Sequence, residues 1–107
     1  MNLKNEFQPI RDWAQERGIY AKGDMKTQLL KLAEESGELA KAINESDQAE
    51  VIDAIGDCTV VLTNLAKLAA QYFENPSITI ESCTNSAYNV IAKRTGKMVN
   101  GSFVKDK

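Results

Sequence analysis

The stretch from Gln28 to Leu68 constrains the fold of this chain more than any other. It reads QLLKLAEESGELAKAI, then a polar break, NESDQ, then AEVIDAIGDCTVVLTNLAKL. Both flanking pieces are of helix length, and so short a break folds them back antiparallel. The first carries Glu34, Glu35 and Glu38, and the second carries Glu50, Asp53 and Asp57. Six carboxylates on one helical pair repel one another unless something compensates them, and divalent cations are the obvious agent.

The rest of the chain reads as helices around this pair. A first helix is expected over residues 4–17, with Phe7, Ile10, Trp13 and Ala14 on one stripe and Pro9 suited to its first turn. Gly18 marks its end, and Gly23-Asp24 leads into the next cap. The second helix spans roughly 24–44, with Met25, Leu29, Leu32, Ala33, Ser36, Ala40 and Ile43 on one face. Gly37 in its middle costs up to about 1 kcal/mol against alanine, which suggests close approach of a backbone or ligand. Asp47 is a good N-cap for a third helix to about residue 73, with Glu50 at the capping-box position. This helix is too apolar to be peripheral and is expected at the centre of the fold and at a subunit interface.

Asn75-Pro76-Ser77 breaks the pattern before a fourth helix over about 78–95. Asn100-Gly101 in the tail is a turn signal between β-prone pieces, so the tail is a small hairpin or an arm laid on a neighbour. The expected class is therefore all-α. Residues 1–107 make one four-helix bundle-like domain with an antiparallel central pair, and 98–107 form an extended tail or arm.

Composition removes several function classes. At 107 residues there is material for one core. A net charge of -2 with no basic run argues against nucleic-acid binding. The absence of histidine removes His-based acid/base chemistry and most zinc and non-haem iron sites. Cys58 and Cys83 lie in apolar helical patterns and read as small buried residues, with a disulfide unsupported. No segment is long enough to span a bilayer, and a beginning with Lys4, Glu6 and Arg11 is unlike a signal peptide, so the expected location is the cytoplasm.

Glu50, Asp53 and Asp57 are spaced i, i+3, i+7, within about 60° on a helical wheel, bordering the apolar face. No Lys or Arg occurs from Glu45 to Ala66 to relieve them. Helix N-terminal acids favoured by the dipole account for Glu50 and in part for Asp53, but not for Asp57, three turns in. On the preceding helix, Glu34 and Glu38 point away from the apolar stripe and Glu35 flanks it. Lys31 and Lys41 are placed to pair with these acids as on an ordinary wet surface. Oxygen ligands alone select hard cations, Mg²⁺ or Mn²⁺. The Glu-x-x-His of di-iron bundles is missing. Magnesium held by few carboxylates leaves positions open for water and phosphates, so phosphoryl chemistry on a nucleotide is the natural inference.

Glu34-Glu35-Ser36-Gly37-Glu38-Leu39 resembles the EExxE motif of MazG-like all-α nucleoside triphosphate pyrophosphohydrolases, relatives of the dimeric dUTPases. Asp53-Ala54-Ile55-Gly56-Asp57 resembles their second acidic motif, and the tail is similar to small phage or bacterial members. The resemblance covers roughly residues 10–95. It implies a helical dimer or tetramer with Mg²⁺-dependent cleavage between the α and β phosphates, giving a nucleoside monophosphate and pyrophosphate. Glu35, Glu38 and Asp57 match the family's metal ligands and catalytic carboxylates. The second motif is usually ExxD, and its glutamate position falls on Ala54 here. Asp53 is the favoured substitute, with Glu50 next, which keeps Glu34, Glu35, Glu38, Glu50, Asp53 and Asp57 as metal candidates.

Among substrate-binding candidates, Lys31 is either a phosphate contact or a surface lysine. Asn89, Lys93, Arg94 and Lys97 suit phosphate or ribose, or are cations favoured by a helix C-terminus. Trp13 can stack on a base, although an amphipathic helix usually buries its only tryptophan. The leading expectation is an Mg²⁺-dependent pyrophosphohydrolase acting on (d)NTPs as a homo-oligomer, with neither nucleic-acid nor membrane partners. The alternative is a non-catalytic helical oligomer that binds cations, nucleotide or a partner protein through its acidic patch. A nucleic-acid-binding module is disfavoured by charge.

Overall fold

Capping side chains set the helix boundaries. In the computed structural model, residues 5–107 are described. α1 (Gln8–Glu16) carries Pro9 in its first turn, where a missing N–H costs nothing. The expected start at Lys4 lies outside the described residues. Gly18, at φ 76°, turns the chain into a single-turn helix, α2 (Ile19–Lys22), in a stretch to which the sequence assigns no element. Four residues are too few to show a helical period in sequence. α3 (Met25–Asn44) opens where the Asp24 carboxylate accepts the Thr27 N–H at 2.7 Å. α4 (Gln48–Tyr72) opens where Asp47 accepts the Glu50 N–H at 3.2 Å.

α5 (Ile80–Ile91) has a reciprocal capping box between Thr79 and Ser82. It is shorter at both ends than expected. The tail is a hairpin, β1 (Gly96–Val99) antiparallel to β2 (Ser102–Lys105). Asn100 and Gly101, at φ 50° and 85°, make the two-residue turn that suits the strands' twist.

α4 is the axis of the molecule. α3 packs along it antiparallel, and α1, α2 and α5 each pack on it too. Ala14, Tyr20 and Leu68 form the main buried cluster, with Ile19 and Met25 against it. The hairpin packs on none of the helices. No described helix is long and apolar enough to cross a membrane.

Several expected core positions are exposed. α3 turns Met25, Gln28, Leu32, Glu35, Leu39 and Ala42 inward, whereas Leu29 and Ile43 of the expected stripe are 59% and 58% exposed. α3 thus carries two apolar stripes, and periodicity does not say which one its own chain covers. Leu62 and Tyr72 of α4 are exposed, and α5 buries no residue. Cys83 is exposed and Cys58 half-buried, both free. Among the described residues, no other part of the chain comes within 4 Å of where a Cβ at Gly37 would stand, so the close approach expected there is not made within one protomer.

Candidate functional site

The α3–α4 turn positions the acids. Ser46 takes a left-handed conformation, φ 54°, between the last turn of α3 and the Asp47 cap. Ala42 and Ala54 are small and buried on the two packed helices. Small residues let the helices approach closely enough for acids along one border to meet. One carboxylate oxygen from each of Glu35, Glu38 and Asp57 lies within 4.8 Å of the others.

Glu35 is the least ordinary of them. The residue is only 7% exposed, and its Oε2 is buried without a hydrogen-bond partner. Its Oε1 lies 3.5 Å from Lys31 Nζ, which is also 3.5 Å from Glu34 Oε1. Loss of hydration, then hydrogen bonding to and repulsion from Glu38, raise the Glu35 carboxyl above the ordinary value, and Lys31 opposes them. Asp57 is raised by loss of hydration, then by the charges of Asp53 and Glu35. Lys31 is itself raised, first by Glu34 and then by Glu35. Proteins satisfy nearly all buried polar atoms, so an orphan oxygen on a glutamate that clusters with two further carboxylates suits a cation site. All donors are hard oxygens, and the residues fit Mg²⁺ or Mn²⁺.

The other sequence candidates are not all drawn together. Asp53 is exposed but close enough to hydrogen-bond Asp57 and raise it. Glu34 is exposed and held by Lys31. Glu50 lines a separate hollow of about 330 Å³ with Glu38, Lys41, Ala42 and Glu45. Ala54, at the motif's glutamate position, is 4% exposed. Asn89, Lys93 and Arg94 are exposed, and the two cations make no ion pair among the described residues.

Trp13 departs from the common fate of a single tryptophan. It is 44% exposed, with the Arg17 guanidinium 4.5 Å from its ring centroid. With Pro9, Ile10, Val60 and Asp57 it lines a hollow of about 390 Å³, so an aromatic face lies beside one of the clustered acids. A further hollow, about 640 Å³, lies along another flank of α1 and touches none of the acids of the cluster. There Arg11 donates two hydrogen bonds to Glu81, at 2.7 and 2.6 Å.

A buried polar pair escaped the sequence reading. The Tyr20 hydroxyl donates to Asn64 Oδ1 at 2.7 Å. Its only signal was an asparagine inside the apolar run of α4, seven residues past Asp57 on the same border.

Carboxylates from two antiparallel helices thus converge where Glu35, Glu38 and Asp57 could hold a cation. The chain belongs to the MazG nucleotide pyrophosphohydrolase domain family, whose model matches residues 24–99. The match runs from the α3 cap to the end of β1 and leaves α1 and α2 outside it. A Haemophilus phage HP1 protein, described as an uncharacterized 18.2 kDa protein in the rep-hol intergenic region, is 35% identical over 66 residues. That alignment covers 62% of this chain and 40% of the relative, so the chain spans well under two thirds of that protein's length. No solved structure matches the chain significantly.

Proposed function

We propose that the protein is a metal-dependent nucleoside triphosphate pyrophosphohydrolase, cleaving (d)NTPs to (d)NMP and pyrophosphate. The observation that carries this reading is the clustering of Glu35, whose Oε2 is buried without a partner, with Glu38 and Asp57 in a chain of this family. Glu35, Glu38 and Asp57 are the proposed ligands, with Asp53 supporting Asp57 in place of the glutamate absent at Ala54. Bound Mg²⁺, or Mn²⁺, supplies charge stabilisation on the phosphates and acidifies the attacking water. Attack at the α phosphorus breaks its bond to the oxygen bridging to the β phosphorus, so pyrophosphate leaves. The proton lost by the water passes to solvent or to a carboxylate at the edge of the cluster that does not hold the cation. Lys31, tied only to acids, is free to turn to a phosphate once a cation takes over their charge. Trp13 offers a stacking face for the base beside Asp57.

A homo-oligomer, dimer or tetramer, is part of this reading. The exposed surface is 7948 Å², where a monomer of 11.8 kDa is expected to show about 5,900 Å². The radius of gyration is 16.0 Å, against about 13 Å for a compact chain of this length. An excess of roughly 2,000 Å² per chain is in the range that obligate homodimers bury. We take the helices as one unit with the hairpin as its arm, working in the cytoplasm on nucleotides and not on nucleic acid.

The decisive assay offers a (d)NTP panel with and without Mg²⁺ and measures pyrophosphate. Metal-dependent release that falls at least about 100-fold in Asp57→Asn supports the proposal. No release from any nucleotide ends it. Ala54 favours one second reading, a non-catalytic oligomer that keeps the acids for binding. Its mark is a melting temperature raised by Mn²⁺ plus nucleotide without turnover.

A further inference from the structure

The hairpin is the one described element without support from its own chain. Its strands are in register, Met98 opposite Phe103 and Lys97 opposite Val104, yet they contact no helix. Met98, Val99, Phe103 and Val104 are all at least 40% exposed. An isolated two-stranded hairpin is marginal in water, so these side chains call for a cover.

Charge indicates what covers them. Residues 92–107 hold Lys93, Arg94, Lys97, Lys105 and Lys107 against a single acid, Asp106. Among the described residues, Lys93, Arg94, Lys97 and Lys105 pair with no carboxylate. Residues 24–66 hold nine acids against three lysines, and of these lysines only Lys31 is paired. The two halves of this imbalance lie on elements that do not touch within one chain. The acidic pair also exposes apolar residues, Leu29 and Ile43 on α3 and Ile52 and Ile55 on α4. The surplus surface is of homodimer size.

We infer that the hairpin of one copy docks on the α3–α4 face of a second copy. Met98 and Phe103 cover apolar surface there, and Lys97 and Lys105 bring positive charge to the partner's acidic site. Resting on the proposed function, the lysines then serve the substrate's phosphates, in addition to Lys31 beside Glu34 and Glu35. A nucleoside triphosphate carries more negative charge than one lysine and a cation neutralise, and added cations strengthen its binding and the transition state.

Docking is tested without activity. Unlabelled and ¹⁵N-labelled copies are mixed in denaturant, refolded together and joined with a zero-length carbodiimide. Peptides linking Lys97 or Lys105 to acids of α3 or α4 are then weighed. Mixed-isotope pairs support the inference. Links confined to one isotope, no hairpin links, or a monomer in sedimentation overturn it. The catalytic half is tested by Lys97→Glu with Lys105→Glu, expected to lower kcat/KM at least tenfold, mainly through KM. Mixing that variant with Asp57→Asn chains should restore about a quarter of wild-type activity, because half of the random dimers then hold one complete site. Failure of the mixture to recover overturns action in trans. If no nucleotide is cleaved by the wild type, the cross-links still decide whether the hairpin docks.

Discussion

Single side chains account for the sharpest effects expected here. The Arg11–Glu81 pair is largely shielded, with side chains 13% and 18% exposed. The hydrogen bond from Arg11 is the first cause holding the Glu81 carboxyl below the ordinary glutamate value. The unfolded chain titrates near that ordinary value, so the pair's contribution is full above about pH 4.5 and fades as pH falls through the depressed one. Glu81→Gln should cost about 1–2 kcal/mol at neutral pH, between an exposed pair and a fully buried one. The loss should shrink on acidification, as denaturant melts of both proteins at several pH values will show. Tyr20→Phe leaves Asn64 Oδ1 buried without its donor and should cost about 1–2 kcal/mol by the same measurement. Glu35→Gln, by contrast, removes a carboxylate from a repulsive cluster. Its melting temperature in chelator should hold or rise, while the increase produced by Mn²⁺ should disappear.

Secondary elements show where sequence reading succeeds and why it stops. Caps are local, so Asp24 and Asp47 placed α3 and α4, and Asn100-Gly101 announced the hairpin. Facing is not local. Leu29, Ala33, Ser36, Ala40 and Ile43 make a valid helical stripe, but the protomer buries the neighbouring one, which includes a glutamate that no hydropathy pattern would turn inward. The acids were legible as a set because they recur on consecutive helices. Which three converge depends on helix separation and rotation, and neither is written in spacing. Trp13 misled because α1 lies over α4 through Ala14, which is fully buried, and leaves the indole at the edge. The hairpin itself is open to test. Gly101→Val places a β-branched residue at φ 85°, at a cost of about 1–2 kcal/mol. Helical circular dichroism should not change, since the strands touch no helix, while the amide signals of residues 96–105 should collapse toward random-coil positions.

The molecule taken whole is too open for its mass. If the surplus surface is covered by a second copy, the melting temperature should rise with protein concentration, and sedimentation should show dimers or tetramers that dissociate on dilution. A concentration-independent melt of a monomer would remove the oligomer from the proposal.

This openness also bears on how long the protein survives in a cell. If a second copy covers Leu29, Ile43, Ile52 and Ile55, a newly made chain with these residues in water is a target for proteases until it meets one. Encounters grow with the square of chain number, whereas clearance of single chains grows only in proportion. Abundance should therefore rise more steeply than synthesis. Weak expression would then leave almost no protein, and a burst of expression would leave a lasting pool.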